Sequence, residues 1–290
     1  MPTKREQFVQ TIRAQWLGQR MRELREERGL TLKYIAAYLG VEFSTLARYE
    51  RAEWPFRRDH VIALLDVYGV YDERERAQLV QLAQDAWRVN RWDDDFEGTV
   101  YDQTFVDYPW LESRAEEICT YSTMVLPGLL HTRDYAEAVI RYAEGTQANP
   151  QKIDRWVRLR MERQLILDEK PPKRLAALIE EAVLHRPIGG RLVLRAQLEH
   201  LARVVERPHV EVRVIPTPIG LHAGLGGGFT LFKMQRPYPE VAYVEHLGGR
   251  LFMEASRAHR YSKAYDGLRE VALSGAESMA LIATLAEELS

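Results

Sequence analysis

The chain has 290 residues, of which 46% are hydrophobic and 28% are charged, and its formal net charge is −2. This composition is typical of a soluble globular protein that is long enough for two domains. No apolar run approaches the roughly 20 residues that cross a membrane, and the N-terminus has no apolar segment of the kind that directs secretion. The single cysteine, Cys119, excludes an intrachain disulfide and a cysteine-rich zinc site. We therefore expect a cytoplasmic protein that does not enter a membrane.

Charge is distributed unevenly along the chain. Residues 1–70 contain 12 Lys and Arg against 9 Asp and Glu, whereas residues 71–107 contain 4 against 10. A mildly basic segment favours nucleic-acid binding, but charged residues at this density also cover ordinary solvated helices. The distribution alone does not identify a function.

Two helices with a glycine after each are predicted near the N-terminus. Apolar residues at helical spacing indicate the first over 16–28, and Gly29 follows it as a C-terminal stop. Thr31 is a capping residue for a second helix over residues 32–39. Gly40 ends that helix, because glycine adopts positive φ at little cost.

A third helix over residues 43–50 has one apolar and one polar side. Leu46 and Tyr49 face inward, and a small residue, Ala36, stands where the second and third helices must touch. The outward positions are occupied by Ser44, Thr45 and Arg48. A helix with an anchored inner side and a polar outer side fits the major groove of DNA in a helix-turn-helix.

Arg25 in the first helix and Glu50 at the end of the third occupy positions that should face each other across the core. We predict an ion pair between them. Pro55 then interrupts the chain, and two further amphipathic helices complete an all-helical domain over residues 1–89.

The sequence pattern changes after residue 89. Residues 90–107 lose the helical period and gain acidic residues and glycine, which predicts a linker. Residues 108–290 are predicted to form a mixed α+β domain with an antiparallel sheet. Its predicted helices cover residues 111–118, 132–144, 151–168, 174–186, 192–206, 256–273 and 276–289. The segment 174–186 could contain a strand. The predicted strands cover residues 119–126, 210–216, 228–234, 241–246 and 250–255.

This second domain contains few candidate residues for a metal-binding, phosphate-binding or catalytic site. Glu181 and His185 are spaced like metal ligands, together with Glu180, yet no second histidine-bearing segment pairs with them. The glycine-rich stretch 220–228 lacks the Lys-Ser/Thr end of a phosphate loop and is better explained as a hairpin turn. We predict no catalytic site, no metal and no cofactor, and therefore no enzyme.

Residues 21–53 resemble the XRE family, the Cro and repressor type of helix-turn-helix, whose fold is lambda-repressor-like. The resemblance implies that base edges are read by Phe43, Ser44, Thr45 and Arg48. It places Thr31, Lys33 and Arg51 near phosphates. Arg48 is the first choice for direct readout, because arginine binds guanine O6 and N7 through two hydrogen bonds.

Three residues depart from the pattern of that family or allow a second explanation. Leu32 stands where glutamine is frequent and cannot bind a phosphate through its side chain. Glu42 would repel a phosphate unless it caps the third helix, whose N-terminus favours an anion. Phe43 could contact a thymine methyl group, or it could pack on the linker or a dimer partner.

Residues 108–290 resemble the domain that follows the helix-turn-helix in WhiJ-like actinobacterial regulators. The resemblance rests on the stretches 115–136, 180–190, 195–216 and 220–229 and on VAYVEHLGGRLFME. It implies regulation of development or specialised metabolism, often with a small partner protein encoded nearby in an antitoxin-like arrangement.

Two functions are consistent with these observations. The chain could be a transcriptional regulator that binds an inverted repeat in double-stranded DNA as a homodimer, is associated with the nucleoid when bound, and senses a small molecule or a partner protein through its second domain. Alternatively, it could be an antitoxin-like interaction module that sequesters a small partner protein and binds DNA for autoregulation.

Overall fold

The computed structural model describes residues 10–87, 107–145, 149–235, 238–247 and 249–289. The chain divides into two compact units, Met1–Tyr108 and Pro109–Ser290. The predicted linker over residues 90–107 lies outside the described residues except for Asp107, so the predicted domain boundaries stay a prediction. Within the described ranges, no helix is both long and apolar enough to cross a membrane.

The first unit is helical over its described residues, as the sequence predicted. Its helices are α1 Ile12–Glu27, α2 Leu32–Leu39, α3 Phe43–Glu50, α4 Arg58–Val67 and α5 Glu73–Trp87. Helix α1 begins four residues before the predicted start, because the Thr11 hydroxyl accepts a hydrogen bond from the Ala14 amide at 3.3 Å and caps it there.

Apolar side chains from α1 to α4 form the core of this unit. Those with no exposed surface are Leu17, Met21, Ile35, Leu46, Val61, Leu64 and Leu65. Burying a side chain of this size stabilises the fold by about 1.5–3 kcal/mol. The short helices α2 and α3 are therefore held mainly by tertiary packing, since eight residues are too few for a stable isolated helix.

The second unit combines helices with strands. Its helices are α6 Asp107–Arg114, which begins at the boundary between the units, α7 Arg133–Glu144, α8 Pro150–Arg163, α9 Glu181–Leu184, α10 Arg191–Val204, α11 Ala255–Val271 and α12 Gly275–Glu288. Its strands are β1 Ala115–Ser122, β2 Arg174–Glu180, β3 Val210–Ile215, β4 Phe229–Met234, β5 Val241–His246 and β6 Gly249–Glu254.

All of these strands belong to one mixed sheet in the order β3-β2-β1-β4-β5-β6. Strands β1, β2 and β3 run parallel, whereas β4, β5 and β6 continue from β1 in antiparallel pairs. The predicted antiparallel sheet is therefore correct only for one half. The helices α7 to α10 supply the long crossovers that parallel strands require.

Two predicted helices contain strands. Residues 111–118 hold the end of α6 and the first half of β1, and residues 174–186 hold β2 followed by the one-turn helix α9. Both strands are central in the sheet and buried on both faces. A strand of this kind is a continuous apolar run without alternation, so its sequence does not distinguish it from a buried helix.

One hydrophobic cluster of the second unit lies between the sheet and α11. Cys119, Leu178 and Leu231 on the sheet pack in one cluster with Tyr265 and Leu268 of α11. The thiol is buried, and burial raises its pKa to about 12. Cys119 is thus a small apolar side chain in a strand.

Candidate nucleic-acid interface

The turn between α2 and α3 is built from local hydrogen bonds. The Thr31 hydroxyl accepts a hydrogen bond from the Tyr34 amide at 3.2 Å and caps α2. Gly40 ends this helix with φ +66°, and the Val41 amide donates to the Ala36 carbonyl at 3.0 Å. A left-handed glycine with this hydrogen bond reverses the chain sharply, so α3 starts after only three residues.

Helix α3 is anchored along its inner side. Leu46 and Tyr49 are buried, and the Tyr49 ring lies 5.1 Å from the ring of Phe56. The backbone of α3 also approaches α1 closely: a Cβ atom on Gly18 would lie 2.8 Å from the carbonyl oxygens of Tyr49 and Glu50. Gly18 was not predicted, although a glycine inside an amphipathic helix is a recognised sign of close packing.

Arg25 and Glu50 form a buried ion pair with two hydrogen bonds. Arg25 Nε donates to Glu50 Oε1 at 2.6 Å, and Nη2 donates to Oε2 at 2.8 Å. Their side chains are 8% and 4% exposed. Arg25 Nη1 also donates to the Leu30 carbonyl at 2.8 Å. The hydrogen bonds to Glu50 raise the pKa of Arg25. The pair thus ties the end of α3 to α1.

The predicted base-reading residues lie at the start and on the outer side of α3. Phe43 and Ser44 are exposed, Thr45 is half-buried, and the Arg48 side chain is 52% exposed. The Arg48 guanidinium carbon lies 5.9 Å from the centre of the Trp54 ring. Three of the four side chains are therefore accessible to a groove, and Thr45 is less so.

The predicted phosphate-binding residues differ in their exposure and in their hydrogen bonds within the protein. Lys33 is exposed, and the exposed Thr31 uses its hydroxyl to cap α2. Arg51 donates through Nε to Glu53 Oε1 at 2.6 Å and through Nη2 to Oε2 at 3.2 Å. The hydrogen bond from Arg51 lowers the pKa of Glu53.

Glu53 lies close to both arginines of the candidate interface. Its Oε2 atom is 3.8 Å from Arg48 Nε in addition to the contact with Arg51. Glu53 was not among the predicted site residues, although it lies five residues after Arg48 and two after Arg51. A phosphate must compete with this carboxylate for the arginines.

Two exposed tyrosines on α2 were also missed. Tyr34 is 57% exposed and Tyr38 is 53% exposed, whereas Ile35 between them is fully buried. The spacing of four residues places both rings on one side of α2. Together with the exposed ring of Phe43, they give this surface an unusual aromatic content.

Glu42 stands at the N-cap position of α3 but accepts no capping hydrogen bond through its side chain. It is exposed, so its charge lies at the end of α3 that would enter the groove. Leu32 is half-buried at the start of α2. Both departures from the family pattern therefore affect the surface that would meet DNA.

The described residues contain no group of three or more His, Cys, Asp or Glu side chains that could hold a metal ion. Glu181 and His185 lie on and next to α9, with Glu181 Oε1 3.9 Å from His185 Nε2. Glu181 Oε2 accepts a hydrogen bond from the Thr217 amide at 2.8 Å. These contacts give Glu181 a structural role in positioning a loop.

Comparison with known proteins identifies two families along the chain. Residues 16–79 match the family described as a helix-turn-helix domain, which includes the α2–turn–α3 segment. Residues 105–284 match the family described as a domain of unknown function, DUF5753. No curated protein and no solved structure matches the chain.

Proposed function

Because the chain belongs to the DUF5753 family and carries a helix-turn-helix domain ahead of the family domain, we propose that it is a sequence-specific transcriptional regulator. The observation that carries this proposal is the construction of α3. Its inner side is fixed by Leu46, Tyr49 and the Arg25–Glu50 pair, while Arg48 and Phe43 are exposed on a rigid support. A groove-reading helix needs this combination.

We further propose that the protein binds an inverted repeat as a homodimer in the cytoplasm, where it associates with the nucleoid. One α3 helix of eight residues contacts only a few base pairs, so two copies are needed for a specific site. The two half-sites should lie about one helical turn apart, roughly 34–36 Å. The resemblance to XRE-type repressors supports this arrangement.

A footprint on the DNA upstream of the protein's own gene tests the proposal. We expect two protected half-sites and a clear preference over random duplex at physiological salt. Equal affinity for both DNAs would contradict sequence-specific regulation, because phosphate contacts alone give binding without preference.

Arg48→Ala is expected to relax the base preference and to cost about 1–3 kcal/mol of discrimination. Arg48→Lys keeps the charge but loses the paired hydrogen bonds to guanine, so it should lose most of the discrimination while the salt dependence stays unchanged. Competition binding against single-base variants of the footprint measures both effects. Arg22→Ala removes an exposed arginine of α1 and is the matched control.

Lys33→Ala is expected to weaken binding to all duplexes equally. The slope of log affinity against log salt should fall by about one, since one phosphate contact is removed. Titrations at several salt concentrations measure this slope. An altered base preference in this variant would contradict the assignment of Lys33 to a phosphate.

Glu53→Gln is expected to raise the affinity for random duplex by about two- to fivefold, because Arg51 and Arg48 no longer share a carboxylate. Glu73→Gln makes the same change in net charge at an exposed position of α5 and should have a smaller effect. Fluorescence anisotropy with a labelled duplex compares the two. A gain for Glu73→Gln as large as that for Glu53→Gln would show that the change in net charge, and not the contact of Glu53 with the arginines, is responsible.

For the second unit we propose an effector role, in which binding of a small molecule or a partner protein changes the affinity for DNA, and no enzymatic activity. The resemblance to WhiJ-like regulators supports this role, since effector domains follow the DNA-binding domain in many regulators. DNA affinity measured with and without the bound molecule tests it.

A second candidate is an antitoxin-like function, in which the protein sequesters a small partner protein and DNA binding serves autoregulation. The acidic groups Glu42 and Glu53 beside the reading residues favour it, because both weaken contacts with phosphates. Stoichiometric co-purification with the product of an adjacent gene would support this candidate. Recovery of the protein alone, with DNA binding intact, would count against it.

A further inference from the structure

The parallel strands β1, β2 and β3 end at the same edge of the sheet, and β4 begins there. The sequence prediction of a hairpin turn over residues 220–228 is wrong. These residues belong to the connection from β3 to β4, which crosses the ends of β2 and β1, since β3 and β4 are not neighbours. In sheets with parallel strands, ligands bind outside the carboxyl ends, at the point where the strand order reverses.

Three polar side chains meet at this edge. Tyr121 lies near the end of β1, Glu180 is the last residue of β2, and His222 lies in the β3–β4 connection. Tyr121 Oη donates a hydrogen bond to Glu180 Oε1 at 2.6 Å, and His222 Nε2 lies 3.2 Å from the same oxygen. The Gly224 amide donates to His222 Nδ1 at 3.1 Å, so the neutral imidazole carries its proton on Nε2.

Glu180 therefore has one oxygen that is held by its neighbours and one that is not. No hydrogen bond reaches Oε2 from the described residues of the chain, and the side chain is 19% exposed. Tyr121 carries no positive charge to balance the carboxylate, and His222, whose Nδ1 accepts the Gly224 amide, meets Glu180 through Nε2. Burial raises the pKa of Tyr121, which keeps its hydroxyl protonated as a donor. This partly shielded negative charge attracts a cation and repels an anion.

An aromatic cluster adjoins the carboxylate through Tyr121 and His222. The ring of Tyr121 lies 6.2 Å from that of His222 and 5.7 Å from that of Phe229. Phe229 in turn lies 5.1 Å from Tyr261 of α11. A carboxylate next to aromatic rings is the arrangement that binds organic ammonium groups, because the ring faces attract the cation.

The loops at this edge expose apolar side chains. Met124 follows β1 and is 57% exposed, and Leu221 and Leu225 in the β3–β4 connection are 82% and 81% exposed. Between these leucines the chain lies against the aromatic cluster, since a Cβ atom on Gly224 would come within 2.6 Å of three atoms of the Tyr121 side chain. Apolar groups exposed together beside a polar cluster are characteristic of a binding site.

We propose that this edge of the sheet binds an alkyl- or arylammonium group. The Glu180 carboxylate pairs with the ammonium through Oε2, the rings of Tyr121 and His222 lie beside the cation, and the exposed leucines contact the hydrocarbon part. The inference rests on the proposed effector role of the second unit and names the chemistry that this unit recognises. The ammonium group belongs either to a small amine or to a lysine side chain of a partner protein.

Isothermal titration of the full-length protein with hexylammonium chloride and with 1-hexanol tests the proposal. We expect hexylammonium to bind at least about tenfold more tightly than the neutral alcohol, because only the former pairs with Glu180. Glu180→Gln should remove this difference. Glu117→Gln should preserve it, since Glu117 is a carboxylate at the opposite end of β1 that pairs with Lys233 at 2.8 Å.

Leu225→Ser keeps the test decisive if Glu180→Gln fails to fold, because a side chain that is 81% exposed contributes little to the fold. This variant should weaken hexylammonium binding by about threefold and leave the thermal unfolding unchanged. Equal binding of amine and alcohol, wild-type binding by Glu180→Gln, or no binding of hexylammonium at about 10 mM would each overturn the proposal.

A leucine-flanked lysine peptide and its norleucine counterpart distinguish the two sources of the cation. Binding of the lysine peptide in preference to the norleucine peptide assigns the site to a partner protein, and binding of hexylammonium alone assigns it to a small amine. DNA binding is measured separately on the same samples. Loss of amine binding with intact DNA preference overturns only this inference, whereas absence of DNA preference overturns the proposed function.

Discussion

Replacing Glu50 with alanine is expected to lower the free energy of unfolding of the first unit by about 3–5 kcal/mol. The substitution leaves the Arg25 guanidinium buried, with the Leu30 carbonyl and the exposed Glu26 as its remaining acceptors. A buried charge without its main partner costs far more than the net contribution of the intact pair. Hydrogen exchange of the backbone amides of α1 and α3 reports the loss within the full-length protein.

Two further variants separate burial from charge. Asp66→Ala breaks an ion pair with Arg76 at 2.8 Å, but Asp66 is 66% exposed, so we expect a loss of at most about 1 kcal/mol. The double variant Arg25→Met with Glu50→Leu should recover most of the stability, because apolar side chains of similar volume can replace a buried pair. Equal losses for Glu50→Ala and Asp66→Ala would show that the buried pair has no special role.

Gly18→Val is expected to destabilise the first unit by about 1–3 kcal/mol and to displace α3. Any Cβ atom at this position meets the backbone carbonyls of Tyr49 and Glu50 at 2.8 Å, and a backbone cannot rotate away as a side chain does. Gly18→Ala should follow the same direction, although alanine favours a helix by about 1 kcal/mol over glycine. DNA affinity should fall together with stability, because the displaced helix carries Arg48.

Gly275→Ala provides the control for this prediction. Gly275 begins α12, and a Cβ atom there meets nothing within 4 Å. The free energy of unfolding should stay constant or rise slightly, since alanine is the better helix former. If Gly18→Ala were also neutral in urea unfolding, the close approach of α1 and α3 would not constrain the position of α3.

Local rules were sufficient to predict most of the first unit. The capping role of Thr31, the left-handed turn at Gly40 and the inward side of α3 each follow from residues within a few positions of one another. The close approach at Gly18 could not be derived in this way, because it depends on the crossing of two helices. The contacts of Glu53 with Arg48 and Arg51 were not predicted for another reason. The family resemblance assigns DNA-binding roles to these two arginines and no role to a carboxylate.

The second unit was predicted less well for a physical reason. Strands β1 and β2 lie in the middle of the sheet, so neither shows the alternation by which a strand is recognised. The predicted antiparallel sheet came from the four segments over residues 210–255, of which β4, β5 and β6 do pair in sequence, whereas β3 pairs with β2. The proposed site at Tyr121, Glu180 and His222 joins three segments whose proximity depends on the strand order.

That strand order also determines when each part of the chain can fold. Cys119 in β1 pairs with Ala176 on one side and with Leu231 on the other, so the centre of the sheet is completed only after β4 has left the ribosome. In the first unit, Arg25 reaches Glu50, Arg20 reaches Glu75 and the Ile12 amide reaches Asp107, all within the first part of the chain to be synthesised. Contacts that are close in sequence form faster than distant ones. During translation the DNA-binding helices can therefore be complete while the sheet is still unfinished.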